Sequence, residues 1–387
     1  MNLFLSFNST LTYIGYIIIA ILVLLFMVLI HEFGHYIAGK MLKFKINEFS
    51  VGFGPKLFQK NRKNGEKFSL RAIPLGGYCA FEGENEDGTD NPQAFNNQKP
   101  WKRLIVLFFG AFFNFLSAII FSFVLLLSAG YDYVKVNKVE TDSINYGIVR
   151  EGDVILGVDN EQIDFVHDLS FNILVTNYLE ENYKKVDDLT GLESHTKNGK
   201  TYYLEQVIIP LNVRRGKDKI LLDDAKINAV YNSDKKLEGW TLCKSFDETS
   251  EFGITSYKYS FGEALVQCVP FTFKWAWKIL VIFGQLITGQ LALTSLGGPV
   301  TTISMIATYT QTSGAYLLIL LPVIAVNLAV FNLLPIPALD GFQMVFTLIE
   351  MIRKKPVKRE VVNMINNIGL LVLFGFVILV DIIHFVV

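Results

Sequence analysis

The chain has 387 residues, 51% of them hydrophobic and 18% charged, with a net charge of −1. That balance is too apolar and too poor in charge for an ordinary soluble protein of this length, and it shows no basic excess suited to nucleic acid. Three widely separated cysteines, Cys79, Cys243 and Cys268, make neither a disulfide framework nor a thiolate metal motif, and are expected to act as small apolar residues.

No charged residue occurs between Asn2 and Ile30. The N-terminus lacks a basic leader and a small-residue cleavage site, so residues 1–40 are expected to be a retained membrane span closed by Lys40. Near its end stands His31-Glu32-Phe33-Gly34-His35. Positions i and i+4 share a helix face, so His31 and His35 can turn imidazole nitrogens to one metal ion. Glu32 lies beside them, placed to take a proton from water. Zinc fits best, being redox-inert and partial to nitrogen and carboxylate donors. The same pattern arises by chance on helix surfaces, but two histidines and a glutamate at the end of a membrane-length helix are costly to keep without a use.

Between Lys40 and Arg103 the chain carries twelve Lys or Arg against seven Asp or Glu. Within residues 41–99, the runs 44–58 and 67–81 are rich in β-formers, and Arg62-Lys63-Asn64-Gly65 reads as the turn between them. Antiparallel hairpins associated with the membrane are expected here, followed by an acidic connector at 82–97. Trp101, Lys102 and Arg103 anchor a second span, residues 100–131, in which Gly110 and Asn114 share a face. That face serves either helix packing or the active site. Residues 132–258 turn polar and strand-like, enough for a separate water-soluble domain with a turn at Gly152-Asp153. His167 and His195 in it read as solvated surface residues.

Residues Ile279 to Leu339 contain no charge, enough for two spans, with a break at Gly297-Gly298-Pro299. Five positive charges at 353–359 mark a cytoplasmic loop, residues 342–366, and the basic loop at 41–99 should share its side. A crossing by 271–293 would place the two on opposite faces. Residues 259–314 are therefore read as an interfacial amphipathic segment on the outer surface. The third span is 315–341, polar at Asn327 and Asn332 and broken by Pro335 and Pro337. The fourth is 367–387, with Asp381 and His384 expected to snorkel outward. The expected fold is a polytopic α-helical membrane protein with four transmembrane helices and both termini outside. A cytoplasmic-side β-hairpin region and an extracytoplasmic α+β domain complete it. Spans one and three then both run inward and end at the same depth. Asp340 is either a helix-end carboxylate or the third metal ligand, and the matching depth favours the ligand.

Several segments now carry a common pattern: HEFGH at 31–35, FSVGFGP at 49–55, LRAIPLGGY at 70–78, GAFFNF at 110–115, GGPV at 297–300 and NLLPIPALDG at 332–341. With these the chain resembles the bacterial site-2 proteases, intramembrane zinc metalloproteases of the regulator-of-sigma-E-protease type. The resemblance implies zinc on His31, His35 and Asp340, Glu32 as general base, and Asn332 as a polar residue near the substrate. It further implies that the 44–82 region is a membrane-re-entrant β-loop that pairs with an unwound substrate, and that the outer domain is PDZ-like. Expected substrates are membrane-spanning segments of single-pass proteins, such as anti-sigma factors or remnant signal peptides, in the bacterial plasma membrane. The expected partners are thus such substrates and membrane lipid, with no nucleic acid. Two departures stand out: Phe342 replaces the second Gly usual after L-D-G, and 165–202 looks like an insertion in the outer domain. Rival readings are a membrane zinc peptidase that cuts soluble peptides and a non-catalytic PDZ-bearing scaffold. The scaffold has no need of Glu32 or Asp340.

Overall fold

A computed structural model describes residues 2–84, 90–130, 134–141, 143–163, 170–197, 199–242, 252–290 and 297–386. Two compact units emerge, one built from Met1–Val124 and Leu265–Val387, the other from Leu125–Ala264. His167, Cys243 and parts of the 165–202 stretch lie outside the described residues, as does the side chain of His384.

The first unit begins with α1 (Asn2–Met41), which leaves its helix at Lys43 in a left-handed turn (φ 63°). Strands β1 (Ile46–Asn61) and β2 (Lys67–Phe81) follow as one long hairpin. The hairpin bends on itself, so residues 67–70 pair with both 58–61 and 48–51, while 77–80 pair beside 48–51. Glycine makes the bend possible. Gly52 has φ 82°, and a Cβ there would stand 2.7 Å from the Ile73 carbonyl oxygen. The hairpin turn is fastened to α1 by the buried Glu66 carboxylate, which accepts from Lys40 and Arg62.

Helix α2 (Pro100–Ser128) opens on a proline, whose missing N–H costs nothing at a first turn. The second unit then carries β3 (Val134–Val139), β4 (Val154–Val158), β5 (Glu161–Gln162), α3 (Phe171–Asn182), β6 (Glu193–Lys197) and β7 (Lys200–Ile208). It continues with β8 (Leu211–Arg215), β9 (Asp218–Leu222), β10 (Lys226–Asn232), β11 (Leu237–Thr241) and β12 (Phe252–Ser256). One sheet runs β12-β3-β4-β8-β9 with β5 beside β4, and the other runs β11-β10-β7-β6, all antiparallel. Ile155, Leu174, Ile209, Leu211 and Tyr231 form its fully buried centre. Gly152 (φ 92°) turns the chain into β4 as the sequence suggests, and Asp153 beside it is buried. The Asp153 carboxylate accepts two bonds from Arg215, at 2.8 and 2.7 Å, and one from the Arg150 N–H.

Back in the first unit come α4 (Phe261–Ile287), α5 (Pro299–Thr312), α6 (Ala315–Leu333), α7 (Asp340–Arg353) and α8 (Arg359–Val386). Among the described residues five helices, α1, α2, α4, α6 and α8, are long and apolar enough to cross a membrane. The sequence expectation had four. The difference is α4, one continuous helix through Pro270 that packs on α2 through a Ser122–Thr272 hydroxyl contact (3.0 Å) and a Phe115–Phe273 edge contact (4.9 Å). Lys274, Lys278 and two tryptophans gave this stretch an interfacial signature. The fold instead buries Lys278, its ammonium 5.7 Å from the Trp275 ring.

Three expectations need correction. Asp340 does not close the third span; α6 stops at Leu333, and Asp340 is the first residue of α7. Residues 342–366 are not a loop, since α7 runs to Arg353 and only 354–358 connect it to α8. Asp381 does not snorkel. It is buried and accepts from the N–H groups of Val300 and Thr301 (3.3 and 3.1 Å) and from the Thr301 hydroxyl (2.7 Å), capping the start of α5.

Substituting Arg215→Ala leaves the Asp153 charge buried without its cation, so the strand-rich unit should lose about 3 kcal/mol. The measure is the urea midpoint at which this unit of the full chain becomes protease-sensitive. An unchanged midpoint would remove the pair from the unit's stability.

Candidate metal centre

The apolar run of α1 fixes a helix, and the helix puts His31 and His35 one turn apart on the face toward α2. That face is crowded by design of its glycines. A Cβ on Gly34 would stand 2.2 Å from the Phe109 carbonyl oxygen, and one on Gly110 would stand 2.5 Å from His35 Nε2 and 2.7 Å from His31 Cε1. Glycine at both places lets the two helices close until the imidazoles lie against α2.

The third group comes from α7. Pro335 and Pro337 lack N–H donors, so the helix cannot continue past Leu333, and the chain turns through tight bonds such as Ile336 N–H to Leu334 O (2.7 Å). Ala338 takes a left-handed conformation (φ 75°), a strain of about 1–3 kcal/mol. The Asn366 side chain of α8 holds it there by accepting from the Ala338 N–H at 2.7 Å. Gly341 packs on the backbone of Leu333 and Leu334, where a Cβ would meet the Leu334 oxygen at 2.2 Å. Asp340 is thereby swung toward α1. Phe342, the departure from the pattern, is buried against Phe346 (4.8 Å between rings) and leaves Asp340 in place.

His31 Nε2, His35 Nε2 and Asp340 Oδ2 form a triangle with edges of 3.0, 2.9 and 3.2 Å. Among the described residues these three are the one group of His, Cys, Asp or Glu able to hold a metal ion. Both imidazoles are buried, and Asp340 Oδ2 is a buried oxygen without a hydrogen-bond partner. The His35 ring is oriented from behind: its Nδ1 lies 2.8 Å from the Val106 carbonyl, which can only accept. Nδ1 therefore carries the proton and Nε2 presents a lone pair. Behind His31 stands the Asn114 amide, 3.4 Å from Nδ1, with its Oδ1 buried and unpaired. Rotating that amide by half a turn satisfies both groups, and His31 Nε2 is then a lone-pair donor as well. Donors bound at about 2.0–2.1 Å to one tetrahedral ion lie roughly 3.3 Å apart, close to the edges seen here. The residues fit a metal ion, and two imidazoles with a carboxylate suit zinc.

Glu32 lies one residue along α1. Its Oε2 accepts from the Cys79 N–H of β2 at 2.9 Å, so the strand edge facing α1 holds the carboxylate. Two residues on, the Phe81 N–H reaches Glu84 Oε2 (3.4 Å), and burial raises the Glu84 carboxyl to about 7. In the sequence Glu84 is one of several acidic residues of the 82–97 connector, and nothing there sets it apart. Sequence reasoning also had no means of finding the Val106 carbonyl or the Cys79 N–H, which are backbone groups. Asn332, expected near a substrate, is half-buried in the last turn of α6 and makes no hydrogen bond to the four side chains among the described residues.

A family model described as peptidase family M50 matches residues 19–376 of the chain. A protein of Clostridium perfringens is 30% identical, with 95% of this chain and 97% of the relative covered. One from Fusobacterium nucleatum is 29% identical (94% and 97%), and one from Agrobacterium fabrum is 27% identical (98% and 97%). Each of these three carries the name "Putative zinc metalloprotease".

Gly110→Ala removes no donor atom yet drives a methyl into both imidazoles, and should weaken zinc affinity at least tenfold. Asn114→Ala leaves the His31 ring unsupported and should cost about 10- to 100-fold. Competition with a chromophoric chelator measures both, with thermal unfolding as the check on folding. Affinity equal to that of the unaltered chain would show that neither residue shapes the site.

Proposed function

Because the chain belongs to peptidase family M50, we propose that it is a zinc-dependent endopeptidase that hydrolyses peptide bonds in or near membrane-spanning segments of single-pass proteins. The observation that carries this reading is the buried His31–His35–Asp340 triangle, with a strand-held carboxylate beside it, among helices apolar enough for a bilayer. Zinc, when bound, supplies Lewis-acid polarisation of the scissile carbonyl and makes water acidic enough to ionise near neutral pH. His31, His35 and Asp340 would hold it. The Cys79 N–H occupies Glu32 Oε2, so Oε1 is the oxygen free to act as base. It takes one proton from the attacking water as the new C–O bond forms, and passes it to the amide nitrogen as the C–N bond breaks.

The surroundings favour an apolar, extended substrate. A cleft of about 560 Å³ between α1, β1 and α2 is lined by Ile30, Phe33, Phe49, Val51 and Phe113, and Phe33 follows Glu32 in the chain. A helical substrate hides its carbonyls in its own hydrogen bonds, so a segment must unwind before attack. The β2 edge offers it a strand to lie along, as in other strand-addition modes. Asn332 is proposed to bind substrate from the end of α6.

We further propose four crossings, by α1, α2, α6 and α8, with both termini and the strand-rich unit outside and that unit PDZ-like. Glu66 joins the hairpin to the end of α1, and Arg103 and Glu350 join the start of α2 to α7. The basic hairpin and the basic 353–359 loop thus gather at one end of the unit, which supports a shared cytoplasmic side. With α2 and α6 both crossing, α4 then packs against α2 without carrying the chain to the other face. The setting is a multi-pass protein of a bacterial plasma membrane.

The test is cleavage of a tagged single-span reporter by detergent-purified protein. Glu32→Gln should bind zinc normally and cleave at least about 100-fold more slowly. A span containing Gly, Ser and Asn should be cut faster than a poly-Leu span. Equal rates from both enzymes would remove Glu32 from its role, and exclusive cleavage of a soluble peptide would overturn the intramembrane reading.

A further inference from the structure

The helix that opens on Asp340 has a second face, which peptide hydrolysis does not use. α7 has 14 residues and so spans about 21 Å, too short for a hydrocarbon core of about 30 Å. One side is committed to the protein, with Phe342, Thr347 and Glu350 buried. On the other, Val345, Leu348, Met351 and Ile352 are exposed, Ile352 to 78%. At roughly 100° per residue these four make one stripe about 120° wide. The stripe contains no charge.

The connector that follows is cationic. Arg353, Lys354, Lys355 and Lys358 are all exposed, and no acidic residue occurs between Glu350 and Glu360. Its placement is built into the fold. Glu350 turns inward, where one oxygen pairs with Arg103 in a buried contact and the other accepts from the Val357 N–H at 3.1 Å. Of the two carboxylates that flank the loop, Glu350 is therefore spent beneath it, and the exposed Glu360 lies beyond it in the first turn of α8. A left-handed turn at Lys354 (φ 53°) ends α7 and starts the loop. On the α2 side of the Arg103 contact, Trp101 is 46% exposed, a residue suited to the headgroup region.

An apolar stripe on a short helix, bordered by fixed cations, matches a bilayer surface in two ways. The stripe replaces water by acyl chains, and the cations meet phosphate. Charge complementarity selects an anionic leaflet over a zwitterionic one. We propose that α7 and the 353–358 loop form a docking surface for anionic phospholipid headgroups. The lipid engages the helix whose first residue is Asp340. Hydrolytic activity is not needed for this inference, which stands or falls on lipid contact alone.

The experiment places the full chain, and separately its Glu32→Gln variant, in nanodiscs of phosphatidylcholine or of phosphatidylcholine with phosphatidylglycerol. Hydrogen–deuterium exchange is then followed over 341–358. Exchange should slow several-fold with phosphatidylglycerol, equally in both proteins, and high salt should weaken the effect. The Lys354→Gln/Lys355→Gln/Lys358→Gln variant should lose most of that protection, and its lipid affinity should fall roughly tenfold or more. Inorganic phosphate added to phosphatidylcholine nanodiscs should give no protection. Equal exchange in the two bilayers, protection by inorganic phosphate alone, or full protection of the triple variant would each overturn the proposal. None of these readouts depends on whether the protein cleaves a reporter.

Discussion

Two imidazole nitrogens and a carboxylate oxygen stand about 3 Å from one another in a largely buried place, and the rest of the membrane unit serves to keep them there. Electron-pair donors at such spacing, away from water, are unfavourable company unless a cation lies among them. Each donor is held from behind by something that cannot easily move. The Val106 carbonyl orients His35, the Asn114 amide faces His31, and the strained Pro335–Leu339 turn delivers Asp340. Gly34 and Gly110 sit where a single methyl group would push α1 from α2 or strike the rings. The site is therefore a property of helix packing as much as of its own residues.

That dependence explains how the parts of the unit are tied together. The hairpin turn is pinned to α1 through Glu66, and β2 returns to α1 with the Cys79 N–H on Glu32. α8 supports the turn before Asp340 through Asn366, while its far end caps α5 through Asp381. Arg103 and Glu350 join α2 to α7. These are polar contacts in an apolar surrounding, where each lost partner is expensive, and they link every element that contributes to the centre. Hydrophobic packing alone, non-directional in lipid, would leave the donors free to drift.

Much of this was legible from residue order. The i, i+4 spacing of His31 and His35 requires only a helix, and an uncharged run of that length ensures one. The β-formers and the Arg62–Gly65 turn marked the hairpin, and Pro335 and Pro337 marked a break, although the expected span runs on to 341 and α6 stops at Leu333. What escaped notice depends on contacts between distant segments. Lysines and tryptophans in α4 read as interfacial because nothing in the chain announces that Lys278 will be buried beside Trp275. The basic cluster at 353–359 concealed the helix before it, since α7 is amphipathic only once Glu350 is seen to face inward. Asp381 seemed to belong in water because its partners, two backbone N–H groups and a hydroxyl, lie some eighty residues away. Backbone groups such as the Cys79 N–H and the Val106 carbonyl carry no signature in a sequence.

The claim on which the reading turns is that the buried triangle binds zinc. X-ray absorption at the zinc edge, recorded on the full chain purified without chelators, addresses it directly. The expected spectrum shows nitrogen and oxygen neighbours at about 2.0–2.1 Å, with the outer scattering of two imidazoles and no sulfur. His35→Ala should reduce that scattering to one ring. A sulfur neighbour near 2.3 Å, or a spectrum unchanged in His35→Ala, would place the metal elsewhere and contradict the assignment.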